Sequence, residues 1–279
     1  MAAVNRSLGE VFPNSRIREM LVTTTPGWTA NNPSIASGPN GYRFTIRSSN
    51  FVLDPSGMAH QTVEPDGIIK TINYVGQMDS DLKITGFDEI DTSRVEGPIL
   101  YPWVLGMEDC RIWWDIENNI WKISGSHRQH RPDGIPTIAV DTLDGFVVVQ
   151  REVLSGDDPN QFEKNWMATG LGNKFLRGPW GTDPQLRGSS QAIALSPDRY
   201  YGMLHYVTWP GRCYWHCFGL FDLEGNLLNT SEPFYFNDPG VEFANGMTVW
   251  DDHFVITFGY REARCFMAYV PVVDVVRAL

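Results

Sequence analysis

Four stretches of this chain repeat one pattern. Residues 32–47 read NPSIASGPNGYRFTIR, residues 109–125 DCRIWWDIENNIWKISG, residues 190–207 SQAIALSPDRYYGMLHYV and residues 245–260 NGMTVWDDHFVITFGY. Each opens on small or polar residues and runs into a short apolar strand. It then turns at GPNG, IENN, SPDR or WDDH and returns as a second apolar strand, which is the signature of an antiparallel hairpin. A weaker fifth instance, EKNWMATGLGNKFLRG at 163–178, turns at LGNK. Asp109 to Lys164 and Ser190 to Asn245 each span 55 residues, so five units of that size fill a chain of 279. A repeat of this length built from hairpins predicts radially arranged sheets. The expected fold is all-β: a single five-bladed β-propeller with a central axial pocket over 30–279, preceded by an N-terminal lead-in segment over 1–29.

Within NIWKISG, Ile120, Lys122 and Ser124 point one way and Trp121 and Ile123 the other, as in a strand. Helical periodicity is not sustained anywhere; PVVDVVRAL at the C-terminus reads as one short helix. In a propeller the innermost strand of each blade starts near the axis at one face. The polar residues just ahead of those strands, in NNPS, MEDCR, EKNW, RGSSQ and VEFANG, therefore converge on one pocket. They carry unlike chemistry, which a purely structural repeat does not need.

Composition narrows the function classes. Apolar residues make up 42% of the chain, enough for a large core, and 26 Gly with 18 Pro suit many turns. A net charge of −11 argues against broad nucleic-acid binding, because a phosphate backbone is repelled on average. MAAVNRSLGEVFPNS has no apolar signal-peptide core, and no stretch approaches the roughly 18 apolar residues of a membrane span. Cys110, Cys213, Cys217 and Cys265 are then expected as reduced thiols in a cytoplasmic protein. CYWHC has no second ligand pair at compatible spacing, so no metal is expected, and its cysteines read as small apolar fillers.

Seven motifs, NPSI…GYRFTIRSSN, GMEDCRIWW, EKNWM, RGSSQ, YWHCF, SEPFYF and VEFANGMTV, together resemble the five-bladed propellers of glycoside hydrolase family 130 and its relatives. Those relatives include β-1,2-mannosyltransferases. The likeness runs in order over roughly residues 30–279, and MEDCR followed by EKN is its most specific pair. The resemblance implies cleavage or formation of β-mannosidic bonds with inversion, using inorganic phosphate or water as nucleophile. The family pattern is Glu-Asp-Pro-Arg; here Cys110 stands in place of proline, which predicts a less rigid loop.

On this resemblance Asp109 is the expected proton donor, acting in the family through a sugar hydroxyl, and Glu242 the first candidate for a base, with Glu163 the other. An acid delivers its proton to the leaving oxygen as positive charge grows on the sugar ring. An inverting hydrolase needs a second carboxylate roughly 6.5–9.5 Å from the first; a phosphorylase does not, because phosphate is already charged. Glu108 cannot share the direction of Asp109 on an extended strand, so it is expected to hold a sugar hydroxyl or pair with Arg111. Asn32, Arg47, Asn50 and Asn165 are expected to bind sugar hydroxyls, and Arg111, Lys164, Arg187, His205 and His216 to hold phosphate. His205 and His216 are expected to face each other across one hairpin. Trp103, Trp209 and Trp250 are open to a stacking role on pyranose faces.

No cofactor is expected beyond phosphate as co-substrate. The partner is a small-molecule or oligosaccharide substrate, and the chain length predicts a monomer or dimer. Two alternatives stay open: a glycosyltransferase using an activated sugar donor in the same pocket, and a non-catalytic sugar-binding propeller in which Asp109 is locked in a shielded salt bridge.

Overall fold

All five expected turns fall between paired strands in the computed structural model, which describes residues 6–54, 57, 59–154, 164–180 and 186–279. Four sheets of four or five strands result, antiparallel throughout except that the short Val104–Leu105 pairs in parallel with Ile69–Met78. The first blade runs Thr29–Gly38, Gly41–Ser49, Ile69–Met78 and Ile84–Glu89. The second runs Glu108–Asp115, Ile120–His127, Thr137–Asp144 and Val147–Leu154. A later blade joins Arg187–Gly188 and Ile193–Ser196 to Arg199–Thr208, Cys213–Phe221 and Leu227–Thr230. The last blade holds Glu242–Trp250, His253–Tyr260, Arg264–Pro271 and, at its outer edge, Arg16–Met20.

That last strand revises the domain boundary. The segment expected as a lead-in supplies the fourth strand of the last blade, pairing Arg16 with Tyr269 through Met20 with Cys265. Joining the two chain ends in one sheet closes the ring and covers an edge that would otherwise be unpaired. The expected C-terminal helix is present as Val272–Ala278.

The unit expected at 163–178 forms only a short pair, Met167–Ala168 with Phe175–Leu176. Among the described residues there are thus four full blades and this pair. Apolar packing nevertheless continues through it. Trp166 and Ala168 pack with Trp113, Ile138 and Val140 of the second blade. Met167 and Leu176 pack with Leu204, Cys217 and Phe221 of the next. Three further clusters join the first blade to the second, the last to the first, and the Cys213–Phe221 sheet to the last. Phe44, Phe218, Phe254 and Phe258 are fully buried in these seams; each contributes about 1.5–3 kcal/mol by leaving water.

The hub is polar and tied together by specific contacts. Buried Asn245 donates from Nδ2 to the carbonyls of Asn32 and Cys110, both at 2.9 Å, which ties three inner strands together. Gln191 donates to the carbonyls of Met247, at 2.7 Å, and Ile35. Thr45 Oγ1 donates to Cys110 O at 3.0 Å, so the carbonyl at the position where the family pattern has proline is held from two sides. The expected looseness of that loop is offset by these contacts.

Candidate active site

Three inner strands carry a bulge near their polar heads. In the second blade Arg111 pairs with Ser124 and Glu108 with Ser126, so Asp109 and Cys110 together oppose Gly125. Asp109 takes φ 55°. In the first blade Asn31 pairs with Arg47 and Ser34 with Thr45, leaving Asn32, at φ 43°, and Pro33 opposite Ile46. The last blade has the same shift at Asn245. A bulge breaks strict alternation and re-aims a side chain. This overturns the expectation that Glu108 and Asp109 diverge: both face one cavity. Gly125 is required for the arrangement, because a Cβ there would lie 2.6 Å from Glu108 O. Gly259 plays that part for Asn32, whose Oδ1 would be 2.2 Å from its Cβ.

The cavity holds about 510 Å³ and has two sources of lining residue. The heads of the inner strands supply Asn32, Glu108, Asp109, Lys164, Asn165, Arg187 and Phe243. The ends of the second strands and the connections to the third supply Arg47, Phe51, His60, Arg128, His205, Trp209, Arg212 and Glu262. In an antiparallel blade the chain leaves one face on strand one and returns to it at the end of strand two. The second connection of each blade therefore reaches the same rim as the head. The heads were legible in the repeat. Arg128, Arg212 and Glu262 were missed, and the turn after each second strand was the signal that locates them.

Charge in the cavity opposes that of the whole chain. Five cations, Arg47, Arg128, Lys164, Arg187 and Arg212, face three carboxylates, Glu108, Asp109 and Glu262, in a protein of net charge −11. Asp109 Oδ1 accepts from Asn32 Nδ2 at 2.8 Å and from Arg47 Nη1 at 3.0 Å. Its Oδ2 has no hydrogen bond among the described residues. Glu108 pairs with Lys164 at 3.1 Å, Arg47 at 3.6 Å and Arg128 at 3.7 Å, not with Arg111 as expected. Burial acts to raise the pKa of Glu108, but Lys164, Arg47 and Arg128 outweigh it and hold the carboxyl at about 2. Glu262 lies 3.8 Å from Arg212, and its Oε2 is enclosed without a hydrogen-bond partner among the described residues. Burial pushes its pKa up, reinforced by the charge of Asp109 and opposed by Arg47. Arg187 has no carboxylate within ion-pair distance among the described residues.

Four expected site residues lie elsewhere. Arg111 is 2% exposed, does not line the cavity, and donates to Ser189 O, to Asn165 Oδ1 at 3.2 Å and to Asp109 O at 3.5 Å. It is a strut under the site rather than a phosphate ligand. Burial lowers its pKa to about 10, which leaves it cationic at neutral pH. Asn50 is fully buried, donating to Ile68 O at 2.8 Å and accepting from Lys70 N at 2.7 Å. Those bonds hold the connection after the second strand of the first blade and leave nothing for a sugar.

Glu242 is also fully buried. Its carboxylate accepts from the backbone N–H groups of Phe236, Asn237 and Asp238 at 2.6, 2.8 and 3.3 Å. Burial nonetheless raises its pKa to about 7. It anchors a loop and does not line the cavity, contrary to the role expected of it; the carboxylates that do line the cavity are Glu108, Asp109 and Glu262. Glu163 lies outside the described residues. His216 does pair with His205 across the hairpin, but it is buried, with Nε2 accepting from Ala244 N at 3.2 Å. His205 alone of the two lines the cavity, and burial with nearby Arg111 and Arg187 lowers its pKa to about 3. It is therefore a neutral imidazole, bonded through Nδ1 to Ser189 Oγ at 3.0 Å, and not a cation for phosphate.

Among the described residues no cluster of His, Cys, Asp and Glu is arranged to hold a metal, all four cysteines are free, and no helix is long and apolar enough to cross a membrane. Of the three tryptophans singled out, Trp209 lines the cavity. Trp250 instead donates from Nε1 to Ser80 O at 2.6 Å, and Trp103 is exposed outside the lining.

No family model matches the sequence, and no curated protein is significantly similar to it. Solved structures are similar in fold. One is a β-1,2-mannobiose phosphorylase from Listeria innocua in complex with β-1,2-mannobiose, with a TM-score of 0.62 and 11% identity over 99% of this chain and 98% of that one. Another represents the GH130 family of mannoside phosphorylases, described as containing glycoside hydrolases that target β-1,2-mannosidic linkages in Candida mannan. It has a TM-score of 0.61 and 12% identity over 88% and 84% of the two chains. A glycosyl hydrolase from Bacteroides ovatus has a TM-score of 0.56 and 11% identity over 88% and 84%. At these identities the shared property is the backbone: the chain has the β-propeller fold of glycoside hydrolase family 130 structures.

Proposed function

We propose that this protein is a carbohydrate-active enzyme that cleaves or forms a β-mannoside-type glycosidic bond by single-displacement inversion. Asp109 is the proton donor and inorganic phosphate the nucleophile. One observation carries this reading: Asp109 faces the same enclosed volume as Lys164, Arg128 and the carboxylate-free Arg187. Asn32 and Arg47 fix Asp109 through Oδ1 and leave Oδ2 to present a proton to the glycosidic oxygen, directly or through a sugar hydroxyl. A phosphate oxygen forms the new bond to the anomeric carbon while the glycosidic bond breaks. The leaving oxygen takes the proton, and the products are a sugar 1-phosphate and the shortened saccharide. Charge-assisted bonds from Arg187 and Lys164 hold the phosphate. The pair Met167–Ala168 and Phe175–Leu176 is read as a reduced fifth blade, since it packs between two full ones.

Two observations favour other readings of the same cavity. Glu262 is a second carboxylate with a raised pKa, which suits activation of water and hence hydrolysis. The 3.0 Å pair of Asp109 with buried Arg47 suits a silent sugar-binding propeller, although Asp109 still lines the cavity.

The test is a panel of β-mannosides incubated with and without phosphate while sugar 1-phosphate is monitored. Phosphate-dependent release is expected. Phosphate-independent turnover, lost in Glu262→Gln, moves the assignment to a hydrolase. No turnover but thermal stabilisation by glycans moves it to binding or to transfer from an activated donor.

A further inference from the structure

A second cavity, of about 290 Å³, lies between the first two blades and shares no lining residue with the axial one. Residues 71–73 of the first blade form one side, and Ile123, His127, Asp141 and Arg151 of the second blade the other. The connection 90–107 between the blades supplies much of the rest. Gly106 N donates to Gln129 Oε1 at 2.6 Å, and a Cβ on Gly106 would lie 2.2 Å from Thr71 O, so this wall is closely packed. Two pairs of consecutive residues divide between the cavities. Asp109 lines the axial one and Cys110 this one; Arg128 lines the axial one and His127 this one.

The polar groups of this wall are only partly used by the fold. His127 is 3% exposed, and neither of its ring nitrogens has a hydrogen-bond partner among the described residues. Burial, reinforced by the charge of Arg151, holds its pKa well below the usual imidazole value. The ring is therefore neutral, with one N–H to donate and one nitrogen to accept. Asn73 is fixed by donating from Nδ2 to Met107 O at 2.8 Å, and its Oδ1 has no partner among the described residues. Buried polar groups are costly to leave unpaired, so two such side chains on one cavity point to a ligand. Charge says which kind. Arg151 donates from Nε and Nη2 to Asp141, both at 2.7 Å, and that pair is neutral. Exposed Glu89 and Glu96 also line the cavity, and no lining cation is left to match them.

We propose that the cavity between the first two blades is a second ligand site, and that it takes a small protonated amine carrying hydroxyl groups, up to the size of an amino sugar. The ammonium donates to Asn73 Oδ1 and to the accepting nitrogen of His127, and Glu89 and Glu96 offset its charge. A hydroxyl oxygen accepts from the His127 N–H. Ile90, Ile99, Leu105 and Met107 cover the carbon skeleton. The same carboxylates repel anions, so phosphate and sugar phosphates do not compete here. The site is independent of the sugar reading of the axial cavity.

Calorimetry on the intact protein tests this with ethanolamine, glucosamine and mannosamine against their neutral counterparts ethylene glycol, glucose and mannose. The wild type is expected to bind at least one amine roughly tenfold tighter than its counterpart. His127→Phe removes both unpaired nitrogens without breaking a hydrogen bond among the described residues. It is expected to melt no lower than the wild type and to bind the amine about tenfold more weakly. Glu96→Gln weakens the amine about two- to fivefold and leaves the melting temperature unchanged. Asp109→Asn keeps the amine affinity, which separates this site from the axial one. Equal amine affinity in the wild type and His127→Phe, or its loss in Asp109→Asn, overturns the site. A neutral counterpart bound as tightly overturns the amine assignment. No binding of any amine overturns the proposal and leaves His127 to an ordered water. If His127→Phe does not fold, the ring ¹⁵N shifts of His127 in the wild type decide: they move on adding the amine, and unmoved shifts overturn the site.

Discussion

Asn32 Nδ2 donates to Asp109 Oδ1 across 2.8 Å, and both residues hold left-handed backbone, at φ 43° and 55°. They come from the bulged heads of two neighbouring inner strands. Asn165 and Glu262, on the same cavity, are left-handed as well, at φ 64° and 54°. Each such residue costs on the order of 1–3 kcal/mol in backbone strain. Concentrating that cost around one cavity fits the proposed role of Asp109, because the strain turns carboxylates and amides inward that a regular strand would point apart.

Asp109→Asn tests the proton donor directly. Asn tolerates left-handed backbone and retains an oxygen to accept from Asn32 and Arg47. The fold and saccharide affinity are expected to persist while kcat falls about 10²–10⁴-fold. Full turnover in this variant, with an unchanged melting temperature, removes the acid assignment.

Arg187 is exposed and has no ion-pair partner among the described residues, so its removal leaves the fold intact. Arg187→Ala is expected to raise the KM for phosphate by about ten- to a hundredfold, from the loss of one charge-assisted bond. Saccharide KM and thermal stability should not move. A variant with unchanged phosphate KM places the anion elsewhere in the cavity.

Arg111 carries a different prediction because it is a strut. Arg111→Met strips donors from Ser189 O and Asn165 Oδ1 inside the hub, and is expected to destabilise the protein by about 2–4 kcal/mol. Added guanidinium at low concentration should restore part of the turnover of Arg111→Gly without altering phosphate KM. Denaturant unfolding and kinetics read the two effects separately.

Glu108 sets an acid limit on stability. Its pKa falls from 4.5 in the unfolded chain to about 2 in the fold, so the folded state binds fewer protons in between. The carboxylate therefore contributes about 3 kcal/mol above pH 4.5, and that contribution is lost as pH falls toward 2. Urea midpoints measured from pH 7 to pH 3 should drop in the wild type. Glu108→Gln should be less stable at pH 7 and show a shallower drop. Parallel curves for the two proteins would exclude Glu108 as the group responsible.

Much of this site was readable before folding. The small-polar heads of the hairpins announced Asn32, Glu108, Asp109, Lys164, Asn165 and Arg187 as neighbours, because a radial repeat must bring equivalent positions to one axis. Arg47 and His205 also line the cavity as expected, from the ends of second strands. Arg111 and Glu242 belong to the same head motifs yet point into the hub or under a loop. Regular alternation would send Glu108 and Asp109 to opposite sides and Asp109 and Arg111 to the same one; the bulge reverses both, and the hairpin pattern does not mark where it falls.

Chain order and hairpin spacing by themselves determined that this protein is an all-β propeller with polar heads around an axis, since alternating apolar strands and tight turns permit little else. Only the tertiary structure decided which charges meet. Arg128, Arg212 and Glu262 enter the cavity because antiparallel strands return the second connection of each blade to the starting face. The outer strand of the last blade comes from Arg16–Met20 because a ring needs its two ends joined. Both are consequences of closure in space, and local pattern does not encode them.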